Sequence, residues 1–164
     1  MKITLKDGSV KEYESATTAA EITKDISMGL YRNACCCRIN GAVKDLRTVV
    51  DSDCEFEVLT FDEEDGKKAF NHTASHVMAQ AVKRLYPDTK LTIGPAIENG
   101  FYYDFDVETP FGPEDLEKIE KEMKKIIKEN YPIEKFELPV DEAIKLMQDK
   151  GEPYKIELIN EHAG

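Results

Sequence analysis

Two histidines four residues apart, His72 and His76, are the side chains in this chain best placed to do chemistry. On a helix, residues i and i+4 share one face, so the two imidazoles would meet. Such a pair suits metal chelation, general acid–base work, or both. The residues around it matter as much as the pair. Ala69, Thr73, Ser75, Ala79 and Gln80 flank the imidazoles, with Lys83 a helical step or two beyond. A merely solvated face in a chain that is 34% charged would carry more Lys and Glu. Small, weakly polar neighbours mark instead a concave surface that something else covers. H-x-x-x-H is nevertheless a short motif, and by itself it reads more readily as an ordinary surface or core pair. A metal also needs a third and usually a fourth ligand. The only other histidine after residue 62 is His162, and no cysteine follows Cys54. Carboxylates can complete such a site, but none sits at a spacing that points to it, so His72 and His76 read as metal ligands with partners missing from this chain.

The elements that must position the pair follow from periodicity. Phe70, Ala74, Val77, Met78, Ala81, Val82 and Leu85 recur on one arc of a helix over Lys67–Leu85, which predicts the core-facing side. Lys90–Ile93 reads as a short strand ending at Gly94-Pro95. Asn99-Gly100 then turns into a strand over Phe101–Val107, with Phe101, Tyr103 and Phe105 on one face. A tyrosine hydroxyl can reach into a site from such a position. Pro113 opens a long helix with the stripe Leu116, Ile119, Met123, Ile126 and Ile127. Glu114–Lys118, Glu117–Lys121 and Glu120–Lys124 are i, i+4 pairs that mark its solvated face. Ile133–Leu138 reads as a strand, and Pro139 opens a helix through Met147 that Gly151 ends. Glu152–Ile159 fits a strand or a short helix, in which Lys155 on general grounds is solvated.

Residues 1–61 have a different character. Ile3 and Leu5 alternate with polar residues, Asp7-Gly8 turns the chain, and Val10–Tyr13 returns. Thr17 or Thr18 caps a helix carrying Ala19, Ala20, Ile22 and Ile26. Cys35–Ile39 is a strand, Asn40-Gly41 a two-residue turn, Ala42-Val43 its partner, and Glu55–Leu59 closes the sheet. Hairpin, helix, hairpin, strand is the order of a β-grasp domain, and nothing in it carries chemistry. Cys35, Cys36 and Cys37 are consecutive, so they form neither a disulfide framework nor a C-x2-C metal site. They read, with Cys54, as small apolar residues in a reducing cytoplasm. The acidic, Gly-containing stretch 62–66 reads as a linker. The expected class is α+β: a β-grasp domain over 1–61, then an α/β domain over 67–164.

The 164 residues carry a net charge of −11, with −2 in 1–61 and −9 in 62–164. That balance argues against an autonomous nucleic-acid binder, which needs a basic field to meet phosphate. The N-terminus lacks the apolar stretch of a secretory signal, and no run reaches the roughly 18 residues of a membrane span. The expectation is a cytoplasmic protein with no membrane partner.

Several motifs occur in one order: the β-grasp unit with Arg38-Ile39-Asn40-Gly41, His72-Thr-Ala-Ser-His76, Ile93-Gly-Pro, Gly100-Phe-Tyr-Tyr-Asp-Phe105 and Glu152-Pro-Tyr-Lys-Ile-Glu157. The β-grasp part resembles a TGS domain, and the whole succession resembles the N-terminal end of bacterial-type threonyl-tRNA synthetases, a TGS domain followed by an editing domain. The resemblance implies a full-length ligase that attaches threonine to tRNA(Thr) with ATP, as a homodimer. Its missing catalytic core would use ATP, Mg2+ and Zn2+, and no cofactor is expected within this stretch.

The editing domain of that family hydrolyses tRNA wrongly charged with serine. One methyl separates serine from threonine, worth only about 1–3 kcal/mol in a pocket, so a second, hydrolytic site is the expected remedy. The resemblance places His72 and His76 in that site, positioning and deprotonating water, with Lys155 and Tyr103 lining it around the 3′ end of seryl-tRNA. The family completes the site with a downstream C-x-x-x-H segment that these 164 residues do not contain. The expectation is therefore a monomeric fragment, with its editing domain truncated at the C-terminus and inactive alone. The charge then implies weak tRNA binding by the fragment, with capture left to the missing core. The competing readings are a non-catalytic docking or regulatory module and a free-standing trans-editing hydrolase.

Overall fold

A computed structural model describes residues 1–162 of the chain. It falls into two compact units, one over Met1–Asn71 and one beginning at His72.

The first unit is built on hairpins whose turns are written locally. Strands β1 (Lys2–Leu5) and β2 (Val10–Glu12) pair antiparallel across Asp7-Gly8, where the Asp7 carboxylate accepts the Ser9 amide at 2.9 Å. A two-residue strand β3 (Thr17–Thr18) leads into α1 (Ala19–Ile26). Thr18 is its N-cap, and its hydroxyl accepts the Glu21 amide at 3.2 Å. A short α2 (Met28–Asn33), which the sequence does not announce, is capped by Ser27. Strands β4 (Ala34–Ile39) and β5 (Ala42–Lys44) are joined at Asn40-Gly41, both at positive φ. The short β6 (Val49–Val50) pairs with β3, and β7 (Cys54–Thr60) enters the middle of the sheet. The order is β2-β1-β7-β4-β5, with β1 and β7 parallel. Every second residue turns inward, so Ile3, Cys37 and Phe56 meet Ala19 and Ile22 of α1 in one core. All four cysteines are free thiols; Cys36 and Cys37 are buried, and burial pushes Cys37 up to about 12.

The stretch 62–66 is not a free linker, because α3 (Glu64–Leu85) already runs through its second half. Three contacts within the first unit fix the start of this helix. Thr60 and Glu63 form a local box: the Glu63 carboxylate accepts the Thr60 amide at 2.8 Å and its hydroxyl at 2.9 Å. The Arg38 guanidinium bonds Asp65 at 2.9 Å and also pairs with Glu57. Gly66 then lies so close to β7 that an added Cβ would stand 1.8 Å from the Thr60 carbonyl oxygen.

The second unit packs α3 against α4 (Pro113–Glu129). Ala81 and Val82 meet Ile119 and Ile126, with Val77, Met78, Leu85, Phe105, Phe111 and Met123 around them. Of the expected apolar arc on α3, Phe70 is instead 53% exposed and meets Phe61 edge-on, while Asn71, Ser75 and Ala79 are buried. The buried face is thus turned toward the small residues. Polar clamps reinforce the helix pair. Arg84 holds Glu129 at 2.7 Å, and the Tyr86 hydroxyl donates to Asp115 at 2.6 Å. Glu120–Lys124 forms as expected at 2.5 Å, whereas Lys118 turns to Asp115 rather than Glu114. Leu116 and Ile127, expected in the buried stripe, are exposed.

The strands here are short. β8 (Lys90–Leu91) pairs with β11 (Phe105–Asp106), and β9 (Ala96–Ile97) pairs with β10 (Gly100–Phe101). The single strand expected over 101–107 is therefore broken at Tyr102–Asp104, because its two ends serve different partners. The strand expected over Ile133–Leu138 does not form: after the left-handed Asn130 the chain runs without regular structure to Pro139, and Ile133 and Phe136 are exposed. Alternation marks two faces, but a strand exists only through a ladder partner. Helices α5 (Val140–Asp149) and α6 (Pro153–His162) finish the described chain, the latter resolving the strand-or-helix choice.

Candidate active site

α3 brings His72 and His76 together edge-to-face, with ring centroids 4.5 Å apart and the two Nε2 atoms 3.0 Å apart. At that distance one Nε2 donates and the other accepts. One residue earlier on the same turn, the buried Ser75 hydroxyl donates to the His72 carbonyl at 2.7 Å. Both imidazoles keep contact with solvent. The protein packed around His76, then the neighbouring His72 and Lys155, hold its pKa below the ordinary 6.5.

Lys155 reaches this neighbourhood from the first turn of α6. Its ammonium donates to the Thr92 carbonyl at 2.7 Å and lies 3.5 Å from the Tyr103 hydroxyl. The expectation of a solvated Lys155 therefore fails: it is half-buried, and that burial lowers its pKa against the opposing pull of Glu152. Tyr103 stacks on Phe105 with centroids 4.7 Å apart. Burial, and then Glu152, raise its hydroxyl above the usual phenol value. Gly94 makes room for that ring, since a Cβ there would stand 2.0 Å from Tyr103 Cδ2. Two pairs result, His72 with His76 and Lys155 with Tyr103, and the charge of Lys155 is felt at His76.

Glu152 opens the Glu152–Glu157 motif, and spacing alone gives it no role there. It is 5% exposed, and its carboxylate accepts the Leu91 amide at 3.0 Å and pairs with Lys83 Nζ at 2.8 Å. Lys83 also donates to the Pro87 and Thr89 carbonyls, each at 2.9 Å. The one sequence signal for this residue is its place directly before a helix-opening proline. Among the described residues no group of three or more His, Cys, Asp or Glu side chains gathers to hold a metal. None of the described helices is long and apolar enough to cross a membrane.

The arrangement offers two imidazoles in contact, the His76 ring with a lowered pKa, together with a cation and a phenol hydroxyl. These groups can accept and donate protons, in a chain that also carries a β-grasp scaffold. Residues 1–60 match the TGS domain family. Over 161 residues, 98% of the chain, it is 62% identical to the threonine–tRNA ligase of Acetivibrio thermocellus. Over the same share it is 61% identical to that of Clostridium perfringens and 58% to that of Clostridium tetani. The chain spans 25% of the length of these curated relatives. It thus carries a TGS domain and is similar along nearly its whole length to the N-terminal part of bacterial threonine–tRNA ligases.

Proposed function

We propose that this chain is the N-terminal region of a threonine–tRNA ligase, and that the part from residue 67 onward contributes to hydrolytic removal of serine from mischarged tRNA(Thr). Residues 1–61 are the TGS domain in this reading, and 62–66 connect it to the editing region. The full ligase would attach threonine using ATP and Mg2+ in the part of its length that lies outside the matched segment. The observation that carries the editing reading is the His72–His76 contact beside the half-buried Lys155.

The chemistry follows from those groups. A general base must be unprotonated at working pH, and the lowered pKa of His76 favours that form. The imidazole accepts a proton as the water oxygen bonds to the ester carbonyl carbon. The Lys155 ammonium and the Tyr103 hydroxyl are donors suited to the oxyanion that develops there. The ester C–O bond then breaks, the imidazolium returns its proton to the ribose oxygen, and serine and uncharged tRNA leave.

The test is a chimera in which this chain replaces the N-terminal quarter of the A. thermocellus ligase, assayed for deacylation of seryl-tRNA(Thr). His72→Ala and His76→Ala should each reduce deacylation on the order of a hundredfold or more, with threonylation retained. Deacylation that survives in both variants refutes the reading.

A further inference from the structure

The proposed mechanism does not use the most deeply buried carboxylate of the second unit. Glu152 is 5% exposed and stands immediately before α6. One oxygen accepts the Leu91 amide at 3.0 Å, and the other meets Lys83 Nζ at 2.8 Å. Lys83 is fully engaged by this carboxylate and the two carbonyls of Pro87 and Thr89. Three residues on, Lys155 bonds the carbonyl of Thr92, the residue next to Leu91. Both ends of the first α6 turn are therefore pinned to the same short piece of backbone.

A buried ion pair is a costly way to hold two segments together, and an apolar pair would commonly be as stable. Its use here coincides with a half-buried lysine three residues on, whose charged form Glu152 favours. We propose that Glu152 is a positioning residue: clamped by Lys83 and the Leu91 amide, it fixes the first turn of α6 so that the Lys155 ammonium is held at Thr92 and Tyr103, near the histidine pair. The charged and titratable groups around Lys155 are Glu152 on its own segment, Tyr103 from between β10 and β11, and His76 from α3. Removing Glu152 would release Lys155 from its place and lower its proton affinity. His76 would then lose the cation that depresses it.

The inference rests on the hydrolytic reading for its functional meaning, but its test measures titration. The 164-residue chain, labelled at histidine Cε1 and lysine Cε, is titrated by NMR as wild type, Glu152→Gln, Lys155→Met and the double variant. In Glu152→Gln the His76 midpoint should move to higher pH and the Lys155 midpoint to lower pH, with amide dispersion retained. Lys155→Met should raise His76 in the same direction, and Glu152→Gln should add nothing further in that background, as a double-mutant cycle requires. An unmoved His76 in folded Glu152→Gln overturns the proposal. So does a shift of equal size with and without Lys155, which is the behaviour of a merely structural glutamate. If Glu152→Gln alone fails to fold, Lys83→Met/Glu152→Gln removes both charges together and is held to the same criterion. Because no tRNA is involved, a failed cycle leaves the deacylation reading untouched, and a failed deacylation assay leaves the outcome of the cycle standing.

Discussion

The two regions of this molecule differ in how completely they bury their apolar side chains. The TGS region closes a five-stranded sheet over a helix and buries Ile3, Ile22, Phe56 and Leu59 almost completely. The histidine-bearing region has only two-residue strand pairs and keeps Leu116, Ile127, Tyr131 and Phe136 in water. Its side-chain clamps include Lys83–Glu152, Arg84–Glu129, Tyr86–Asp115 and Tyr154–Asp106, as Lys6–Glu57 and Arg38–Asp65 clamp the first region. The contrast is one of proportion: both regions have an apolar cluster and ion pairs, but the first removes more apolar side chains from water. Apolar burial is insensitive to pH and to moderate salt, whereas clamps are addressable by both.

Substitutions can break or sharpen that contrast. The largest effect is expected at Gly66→Val, where the side chain must enter space held by the Thr60 backbone. It should destabilise the first region by about 3 kcal/mol or more, read as a fall in its denaturant midpoint. Ile22→Ala, fully buried in the same core, should cost about 3 kcal/mol, whereas Leu116→Ala on exposed α4 should stay within about 0.5 kcal/mol. Equal costs for the two would erase the distinction between the regions. Gly94→Ala should cost about 1–2 kcal/mol and displace the Tyr103 ring from Phe105, visible as changed ring-proton shifts with the first region unperturbed.

The smallest effect is one of pH. His76 is depressed in the folded chain, so the unfolded chain binds its proton first as pH falls below 6.5. Its contribution to stability is thus complete above 6.5 and is lost on acidification through the folded value. His76→Gln should flatten the fall in stability of the second region below pH 6.5, measured by denaturation at several pH values. A slope unchanged by the substitution would remove His76 from the acid response.

How much of the molecule is legible in its sequence depends on how far apart the interacting residues lie. The first region's hairpins are closed by neighbours, Asp7-Gly8 and Asn40-Gly41, and Thr18 announces its helix within three residues. The stretch 62–66 looks like a linker because it is fixed by Arg38, 27 residues from Asp65, and by a missing methyl at Gly66. Lys155 looks solvated because its partner, Thr92, lies 63 residues back. Of the small or weakly polar residues beside the histidines, Thr73 and Gln80 are exposed while Ser75 and Ala79 are buried, a division their types do not announce. Polar or small side chains give no apolar signal even when a helix buries them. At 101–107 the burial alternation is present, but the strand is divided between two partners that alternation cannot name.

The contact between the two imidazoles restricts how the pair can be charged. With the Nε2 atoms 3.0 Å apart and facing each other, the space between them admits one hydrogen. An uncharged pair satisfies this, and so does a pair with one added proton, whose ion-to-neutral bond is the stronger of the two. A doubly charged pair would set two N–H groups head to head and must come apart. Of the three charge states, only the first two are compatible with this geometry. The contact as it stands therefore holds at most one added proton between the two rings.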